Sequence, residues 1–314
     1  MTGRFVKFSG YAIFILSALF LAQRFSSNIE GLLAVEFDNS FYFALISACI
    51  SYGTIQLFIV AGLCVVLLGF GANNVTFLRI LNFHGRTNIA KYIPGNVFHF
   101  AGRQILAASF GWPQTIVGLT SIAETILVAL GAGLAAMLFA AIAEPDALQI
   151  FEKLVSPMIF LGVGIGIAAI WIISTQASRI VFFSRFASSL AIQKFARSVY
   201  PPIVVLLYLL FFLSGGLICW FLSSSLSDNW QAQRIAVTGF AYVASWLAGY
   251  ISPGAPGGIG VREAALVLLL GNTIGETEAL LLGVALRVVT TFGDFFLLAL
   301  ALMCRPKMQA PDIG

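Results

Sequence analysis

KYIPGNVFHFAGR at residues 91–103 and SPGAPGGIGVREAALVLLLG at residues 252–271 are the two stretches that decide how this chain folds. Each contains a Pro-Gly pair, and an arginine follows nine positions after its proline, Arg103 in the first stretch and Arg262 in the second. Proline and glycine interrupt helices, and an arginine at bilayer depth is costly unless it has a partner or water. The combination recurs at an offset of 159 residues in a chain of 314, which indicates an internal repeat with a site at its centre.

The composition indicates a polytopic membrane protein. Hydrophobic residues make up 60% of the chain and charged residues only 10%, whereas a soluble domain carries about 25% charged residues. A helix needs about 20 apolar residues to cross a bilayer. Six runs meet this requirement, at residues 5–24, 41–70, 113–141, 156–177, 201–226 and 277–303. The regions 71–111 and 235–271 are more irregular, because the Pro-Gly stretches interrupt them.

The two halves of the chain match in order when the first is shifted by 159 residues. The three apolar runs of the first half then fall on those of the second, and the Pro-Gly stretches coincide. We therefore predict one all-α transmembrane domain over residues 1–314, built from a repeat at about 5–141 and a second at about 156–303. Six full transmembrane helices and two broken hairpins, re-entrant or fully crossing, would give about four segments in each half.

Charge placement predicts the orientation. With a cytoplasmic N-terminus, eleven basic residues fall on the cytoplasmic side and three on the other, as the positive-inside rule requires. The eleven are Arg4, Lys7, Arg79, Arg86, Lys91, Arg179, Arg185, Lys194, Arg197, Arg305 and Lys307. The first Pro-Gly stretch then enters from the cytoplasm and the second from outside, so the repeats are inverted and both termini are cytoplasmic. The first run lacks an A-x-A-like cleavage site, and we expect it to remain as the first span.

Six ionisable residues remain at membrane depth after this assignment, namely Arg103, Glu124, Arg262, Glu263, Arg287 and Asp294. Three are positive and three are negative, which predicts a neutral interior. Ionisable residues inside a membrane favour a functional interpretation, and the alternative is that they form structural ion pairs. Because Glu124 aligns with Arg287 when the repeats are superimposed, we expect these two to pair across the repeat axis.

The first break carries a polar stripe. Asn96 is a good N-cap for the helix that follows, and His99 and Arg103 come after it at helical spacings of three and four. Side chains that share one face of an otherwise apolar helix are expected to line a hydrated cavity. We expect the backbone of Gly95 to take part in the same site.

The second break is rich in glycine. Gly257, Gly258 and Gly260 precede a helix predicted to start near Val261. Free N–H groups at a helix start suit an anion such as phosphate, and Arg262 adds a bidentate donor there. The alternative is a turn that serves only helix packing.

The two stretches resemble the signature stretches of the lysylphosphatidylglycerol synthase transmembrane family, and the resemblance extends over roughly residues 10–303. It implies a flippase-like protein of a bacterial inner membrane that moves a lipid between leaflets or assists lipid-linked sugar metabolism. It also implies lipid-processing or glycosyltransferase partners. The chain has Glu124-Thr125 where family members often carry Glu-Arg, and it lacks the aminoacyl-transferring domain, so we expect no synthesis of lysyl lipid.

These features predict a transporter, not an enzyme, that moves an amphiphilic lipid with an anionic head group. The lipid would be a phospholipid or a polyprenyl-phosphate-linked sugar. Three alternatives stay open, namely an enzyme acting on a polyprenyl carrier, an ion-coupled small-solute carrier with Glu124, Glu263 and Asp294 as proton sites, and a structural partner of a synthase. No DxD or HxxxxD motif supports the enzyme. The four separate cysteines suggest no metal or cofactor, and the positive net charge reflects loop residues and not nucleic-acid binding.

Overall fold

The structure is a computed structural model that describes residues 2–92, 98–143, 190–226, 234–252 and 255–304. The described part of the chain is helical and contains no β-strand. Its helices are α1 (Thr2–Ser27), α2 (Ile29–Ala34), α3 (Asn39–Gly69), α4 (Phe77–Asn88), α5 (Phe98–Ala107), α6 (Gln114–Ala141), α7 (Leu190–Ala196), α8 (Tyr200–Leu226), α9 (Arg234–Ile251), α10 (Val261–Ile274) and α11 (Glu276–Met303). Short 3-10 turns lie at Ile89–Tyr92, Ala108–Phe110 and Pro256–Gly258.

Four helices, α3, α6, α8 and α11, are long and apolar enough to cross a bilayer. They coincide with four of the six predicted runs, and α1 covers the run at 5–24. The run at 156–177 lies outside the described residues, so the number of spans stays a prediction. The all-helical class is confirmed, and several helices of bilayer length are what a helical membrane protein requires.

The ends of the long helix α3 follow from local chemistry. Its N-cap, Asp38, accepts a hydrogen bond from the backbone N–H of Phe41 at 3.0 Å and another from the hydroxyl of Ser40 at 2.8 Å. These bonds, that from Ser40 first, lower the pKa of the exposed Asp38 carboxyl below its ordinary value. At the other end, Gly71 adopts a positive φ of 78°, which turns the chain away from the helix axis.

Helices α3 and α8 pack against each other at the centre of the molecule, and each also packs on α6 and α11. Glycines allow the close approach. A Cβ atom added at Gly293 of α11 would lie 2.6 Å from Cδ1 of Tyr52 on α3. One added at Gly131 of α6 would lie 2.7 Å from Cβ of Tyr208 on α8. Small residues at such crossings let transmembrane backbones come together without loss of packing.

The shorter helices bring the two interrupted regions to the same place. Helix α4 packs on α3 and α11, and α5 packs on α4 and α6. Helix α9 packs on α8 and α6, and α10 packs on α9 and α11, beginning at Val261 as predicted. The 3-10 turns Ile89–Tyr92 and Pro256–Gly258, one beside each break, contact each other. The described residues that flank the two breaks therefore approach each other within the helix assembly.

Candidate functional site

Polar side chains from both interrupted regions line one cavity of about 280 Å³, called here the central cavity. Arg103 of α5 and Arg262 of α10 both lie on its wall, although they are 159 residues apart in the sequence. Helices α3, α4, α6 and α9 also contribute to the wall. The polar and charged lining side chains are Tyr52, Gln56, His84, Asn88, Lys91, His99, Arg103, Glu124, Thr125, Tyr250 and Arg262.

Arg103 is held by a buried ion pair with Glu124. The exposed fractions of the two residues are only 5% and 6%, and the guanidinium contacts both carboxylate oxygens. Its second terminal nitrogen also lies 3.3 Å from Nδ1 of His84. Because a guanidinium can only donate, Nδ1 of His84 accepts, which places the imidazole proton on Nε2. Arg103 thus lines the cavity with its charge already compensated.

Asp294 forms the second ion pair, and its partner is Lys91. Nζ of Lys91 lies 2.7 Å from Oδ2 of Asp294, whose side chain is fully buried. Asn88 donates to Oδ1 at 2.9 Å, and the hydroxyl of Tyr92 donates to Oδ2. Lys91, which the charge analysis assigns to a cytoplasmic segment, lies in the turn at Ile89–Tyr92, and this turn carries its side chain to a buried carboxylate. The side of the membrane on which Lys91 lies stays a prediction.

Glu263 and Arg287 form the third ion pair. Nε of Arg287 donates to Oε1 of Glu263 at 2.6 Å, and its terminal Nη1 donates to the carbonyl oxygen of Gly257 at 3.1 Å. The expected pair between Glu124 and Arg287 is wrong. Each long helix packs against its own neighbouring short helix, α6 with α5 and α11 with α10, so each charge finds its partner there.

Arg262 differs from the other cations, because no described carboxylate pairs with it. Its guanidinium carbon lies 5.2 Å from the ring centroid of Trp246, a cation–π contact. Its Nε atom is buried without a hydrogen-bond partner in the described part of the chain. An intramembrane guanidinium without an anionic partner is costly to maintain and marks a place where an anion would bind favourably.

Two glycines make room for Arg262. A Cβ atom at Gly249 would lie 2.4 Å from its Cγ, and one at Gly258 would lie 2.6 Å from its Nε. Gly258 also has a positive φ of 73°, which side chains rarely adopt. The glycines of this region therefore fix the position of the guanidinium on the cavity wall.

The sequence predicts free backbone N–H groups at Gly257, Gly258 and Gly260, and two of these three groups are not free. The N–H of Gly258 donates to the carbonyl oxygen of Ala255 at 3.0 Å, and that of Gly260 donates to Oε2 of Glu263 at 2.7 Å. The first of these N–H groups closes the 3-10 turn at Pro256–Gly258, and the second caps the start of α10. Gly257 and Gly258 line the cavity, with Gly257 also accepting from Arg287.

His99 lines the same cavity as Arg262. It lies on α5, lines the central cavity, and has a buried Nδ1 atom that finds no hydrogen-bond partner among the described residues. Gly95 and Asn96, the other candidates at the first break, lie outside the described residues. The structure thus brings His99, Arg103 and Arg262 together at one cavity.

Several residues at or beside this cavity were not recognised from the sequence. Lys91, Asn88 and Tyr92 surround Asp294, and Trp246 lies against Arg262. For Lys91 the sequence did hold a usable signal, namely its position three residues before Pro94. A charge so close to a helix break is carried into the interior when the chain turns back. No comparable signal marked Trp246.

The described residues include no group of three His, Cys, Asp or Glu side chains that could hold a metal ion. The comparisons identify no relative from which a ligand could be transferred. No family model, no curated protein and no solved structure matches this chain.

Proposed function

We propose that this protein is a lipid transporter of a bacterial inner membrane that moves an amphiphile with an anionic head group between leaflets. The lipid would be a phospholipid or a polyprenyl-phosphate-linked sugar. The observation that carries the proposal is Arg262, a guanidinium without a described carboxylate partner on the wall of a polar cavity. A phosphate bound there would gain charge-assisted hydrogen bonds and would remove an unpaired charge from the interior.

The volume of the cavity supports transport of a lipid by its head group. Ligand pockets that enclose a whole small molecule measure about 300–1,000 Å³. The central cavity, at about 280 Å³, suits a head group but has no room for long hydrocarbon chains. The chains would remain in the bilayer while the head group crosses through the polar interior.

An inverted repeat is part of the same proposal, and the packing of the helices supports it. Exchanging the two halves pairs α3 with α8, α4 with α9, α5 with α10, and α6 with α11. Under this exchange the contact of α3 with α11 corresponds to that of α8 with α6, and the contact of α4 with α11 corresponds to that of α9 with α6. The pairs Tyr52–Gly293 and Tyr208–Gly131 correspond in the same way. Two oppositely oriented halves around one site are the architecture of alternating access.

The proposed topology has two re-entrant hairpins. Helices α4 and α5, with 12 and 10 residues, are about 18 and 15 Å long, so neither alone spans a hydrocarbon core of about 30 Å. Contacts also group the helix ends as the charge rule requires. Arg24 pairs with Glu276 on the predicted outer side, and Phe70 stacks on Phe195 on the predicted cytoplasmic side.

Transport is favoured over chemistry because the carboxylates of the site are already engaged. Glu124, Glu263 and Asp294 each pair with a cation and so are not free as acid–base groups. Membership of the lysylphosphatidylglycerol synthase transmembrane family, and association with lipid-processing or glycosyltransferase partners, are proposals of the same kind, supported by the sequence stretches at 91–103 and 252–271.

Arg262→Ala tests the proposal in reconstituted vesicles. The measurement is the rate at which fluorescent phosphatidylglycerol in the inner leaflet becomes accessible to an impermeant quencher, together with uptake of labelled small anions. We expect the lipid rate to fall by roughly 10- to 100-fold, the loss that follows from removing charge-assisted hydrogen bonds of about 1.5–3 kcal/mol.

Arg262→Lys, which keeps the charge but loses the bidentate geometry, should retain an intermediate rate. Arg24→Ala is the matched control, since it removes an arginine from an ion pair at the end of α1. Unchanged lipid transport in Arg262→Ala would contradict the proposal. Arg262-dependent uptake of small anions without lipid movement would identify a solute carrier instead.

A further inference from the structure

We infer that the head group accepted by the central cavity carries a single negative charge, as a phosphodiester does. The inference rests on the proposed function and narrows its substrate class. Phosphatidylglycerol-like lipids and sugars joined to a polyprenyl chain through one phosphate share this chemistry. Sugars joined through a diphosphate, and lipids that end in a phosphomonoester, carry a second charge and would be excluded.

The charges around the cavity are not balanced within the described part of the chain. The described interior holds four cations and three carboxylates. Each carboxylate is paired with one cation, in the pairs Lys91–Asp294, Arg103–Glu124 and Arg287–Glu263. Arg262 is left as the one cation of this set without an anionic partner in the described part of the chain. The interior formed by the described residues therefore carries one positive charge in excess, whereas the sequence analysis predicts a balance.

Among the described residues, the groups beside the cavity do not alter this count. The Pro-Gly segments at residues 93–97 and 253–254 contain no ionisable side chain in the sequence. His84 accepts a hydrogen bond from the Arg103 guanidinium, which requires an unprotonated Nδ1 and makes a second positive charge beside it unfavourable. The excess charge is thus localised on Arg262.

A charge imbalance in a low-dielectric interior decides which ligand is favoured. A monoanion at Arg262 makes the site neutral and leaves the three ion pairs intact. A dianion leaves one negative charge uncompensated, or it must draw Lys91 or Arg103 from a buried carboxylate and leave that carboxylate unpaired. A zwitterionic head group brings a cation that the positive site repels.

Unpartnered polar atoms on two walls also suit a phosphodiester. Nε of Arg262 on α10 and Nδ1 of His99 on α5 are both buried without hydrogen-bond partners among the described residues, and both residues line the cavity. Arg262 provides the charge, and a neutral His99 with its proton on Nδ1 would provide an uncharged donor. One charged and one neutral donor match a group with two non-bridging oxygens and a single charge.

Binding of matched lipids to the purified protein in a non-ionic detergent tests the inference. Dihexanoyl phosphatidylglycerol is compared with dihexanoyl phosphatidic acid at about pH 9, where the phosphomonoester is doubly ionised. Farnesyl phosphate glucose is compared with farnesyl diphosphate glucose, so that one pair represents phospholipids and the other represents polyprenyl carriers. We expect the singly charged member of at least one pair to bind at least about tenfold more tightly than its doubly charged partner.

Two substitutions should change this preference in a defined direction. Glu124 lines the cavity, and Asp294 compensates the charge of Lys91, which also lines it. Glu124→Gln and Asp294→Asn each remove one of these negative charges, so either should favour the doubly charged lipid by at least about tenfold relative to wild type. Using both keeps the test valid if one variant fails to fold. Glu276→Gln removes the same charge in the first turn of α11, outside the cavity, and should leave the preference unchanged.

The outcomes separate the two proposals. If the singly charged lipids bind through Arg262, and Arg262→Gln abolishes that binding, but doubly charged lipids bind equally well, only the charge inference is overturned. The same holds if neither Glu124→Gln nor Asp294→Asn shifts the preference. If none of the four lipids binds, or if binding is insensitive to Arg262→Gln, the proposed function itself fails.

Discussion

Arg103 and Arg262 occupy matching positions in the two halves but stand in different energetic situations. Arg103 is buried and paired with Glu124, so each member of the pair depends on the other. Removing one partner of a buried pair typically costs about 3–5 kcal/mol, because an unpaired charge remains. Arg262 has no such partner in the described part of the chain, and its loss strands no carboxylate. The same substitution should therefore affect stability at one arginine and ligand binding at the other.

Arg103→Leu is expected to lower the free energy of unfolding by about 3–5 kcal/mol, because Glu124 is left unpaired. The double variant Arg103→Leu with Glu124→Leu should recover most of that loss. Thermal unfolding and abundance after purification in detergent give the measurement. Arg262→Leu is the control and should remain close to wild type. An Arg103→Leu protein as stable as wild type would show that Glu124 is compensated in another way.

At the scale of helices, the long spans cross where glycine removes a side chain. Gly131 of α6 lies against Tyr208 and the backbone nitrogen of Leu209 on α8, and Gly293 of α11 lies against Tyr52 of α3. These crossings determine how closely α6 and α11 approach the central helices, and hence where Glu124 reaches the cavity and where Asp294 meets Lys91. The backbone of a neighbouring helix cannot move aside as a flexible side chain can.

Gly131→Ala and Gly133→Ala form a matched pair on α6. A Cβ atom at Gly131 would lie 2.7 Å from Cβ of Tyr208, whereas nothing lies within 4 Å of one at Gly133. We expect Gly131→Ala to destabilise by about 1–3 kcal/mol through overpacking. Gly133→Ala should be neutral or stabilising by up to about 1 kcal/mol, since alanine favours helices. Thermal unfolding in detergent would measure both, and equal effects would contradict the assigned crossing.

At the scale of the whole molecule, the two interrupted regions can share a cavity only if the halves face each other. The 3-10 turns beside the breaks touch, and α3 and α8 pack side by side between the remaining long helices. The first break lies between α4 and α5, which are both too short to span the bilayer alone. The second break is followed by α10, which has 14 residues and is also too short. The proposed inverted arrangement therefore has a direct consequence for the sidedness of the connecting segments.

Single cysteines in a background with the native cysteines replaced by alanine test that sidedness. We expect Ser27→Cys and Glu36→Cys, both exposed in the structure, to react from outside with a membrane-impermeant maleimide in intact spheroplasts. Asn73→Cys and Gln193→Cys should react only after the membrane is opened. Labelling of Ser27→Cys and Asn73→Cys from the same side would contradict the orientation, because α3 lies between them.

Much of the fold follows from local properties that a sequence records directly. The apolar runs match α3, α6, α8 and α11, and the glycine-rich break ends where α10 begins, at Val261. These features depend on helix length, helix propensity and the conformations that proline and glycine allow. The positions of Arg103 and Arg262 relative to the breaks were visible for the same reason, and they identified both walls of the cavity.

The amino-acid sequence by itself determined the helical membrane class, the two breaks and the identities of most ionisable groups in the interior. Only the tertiary structure decided which of these charges compensate each other. Lys91 and Asp294 are 203 positions apart, and they meet because α4 packs on α11 and a short turn follows it. An ion pair depends on distances of a few ångströms between helices, and helical spacing within one segment does not specify them. For that reason the solitary charge of Arg262, on which the proposed chemistry depends, emerged only from the packed molecule.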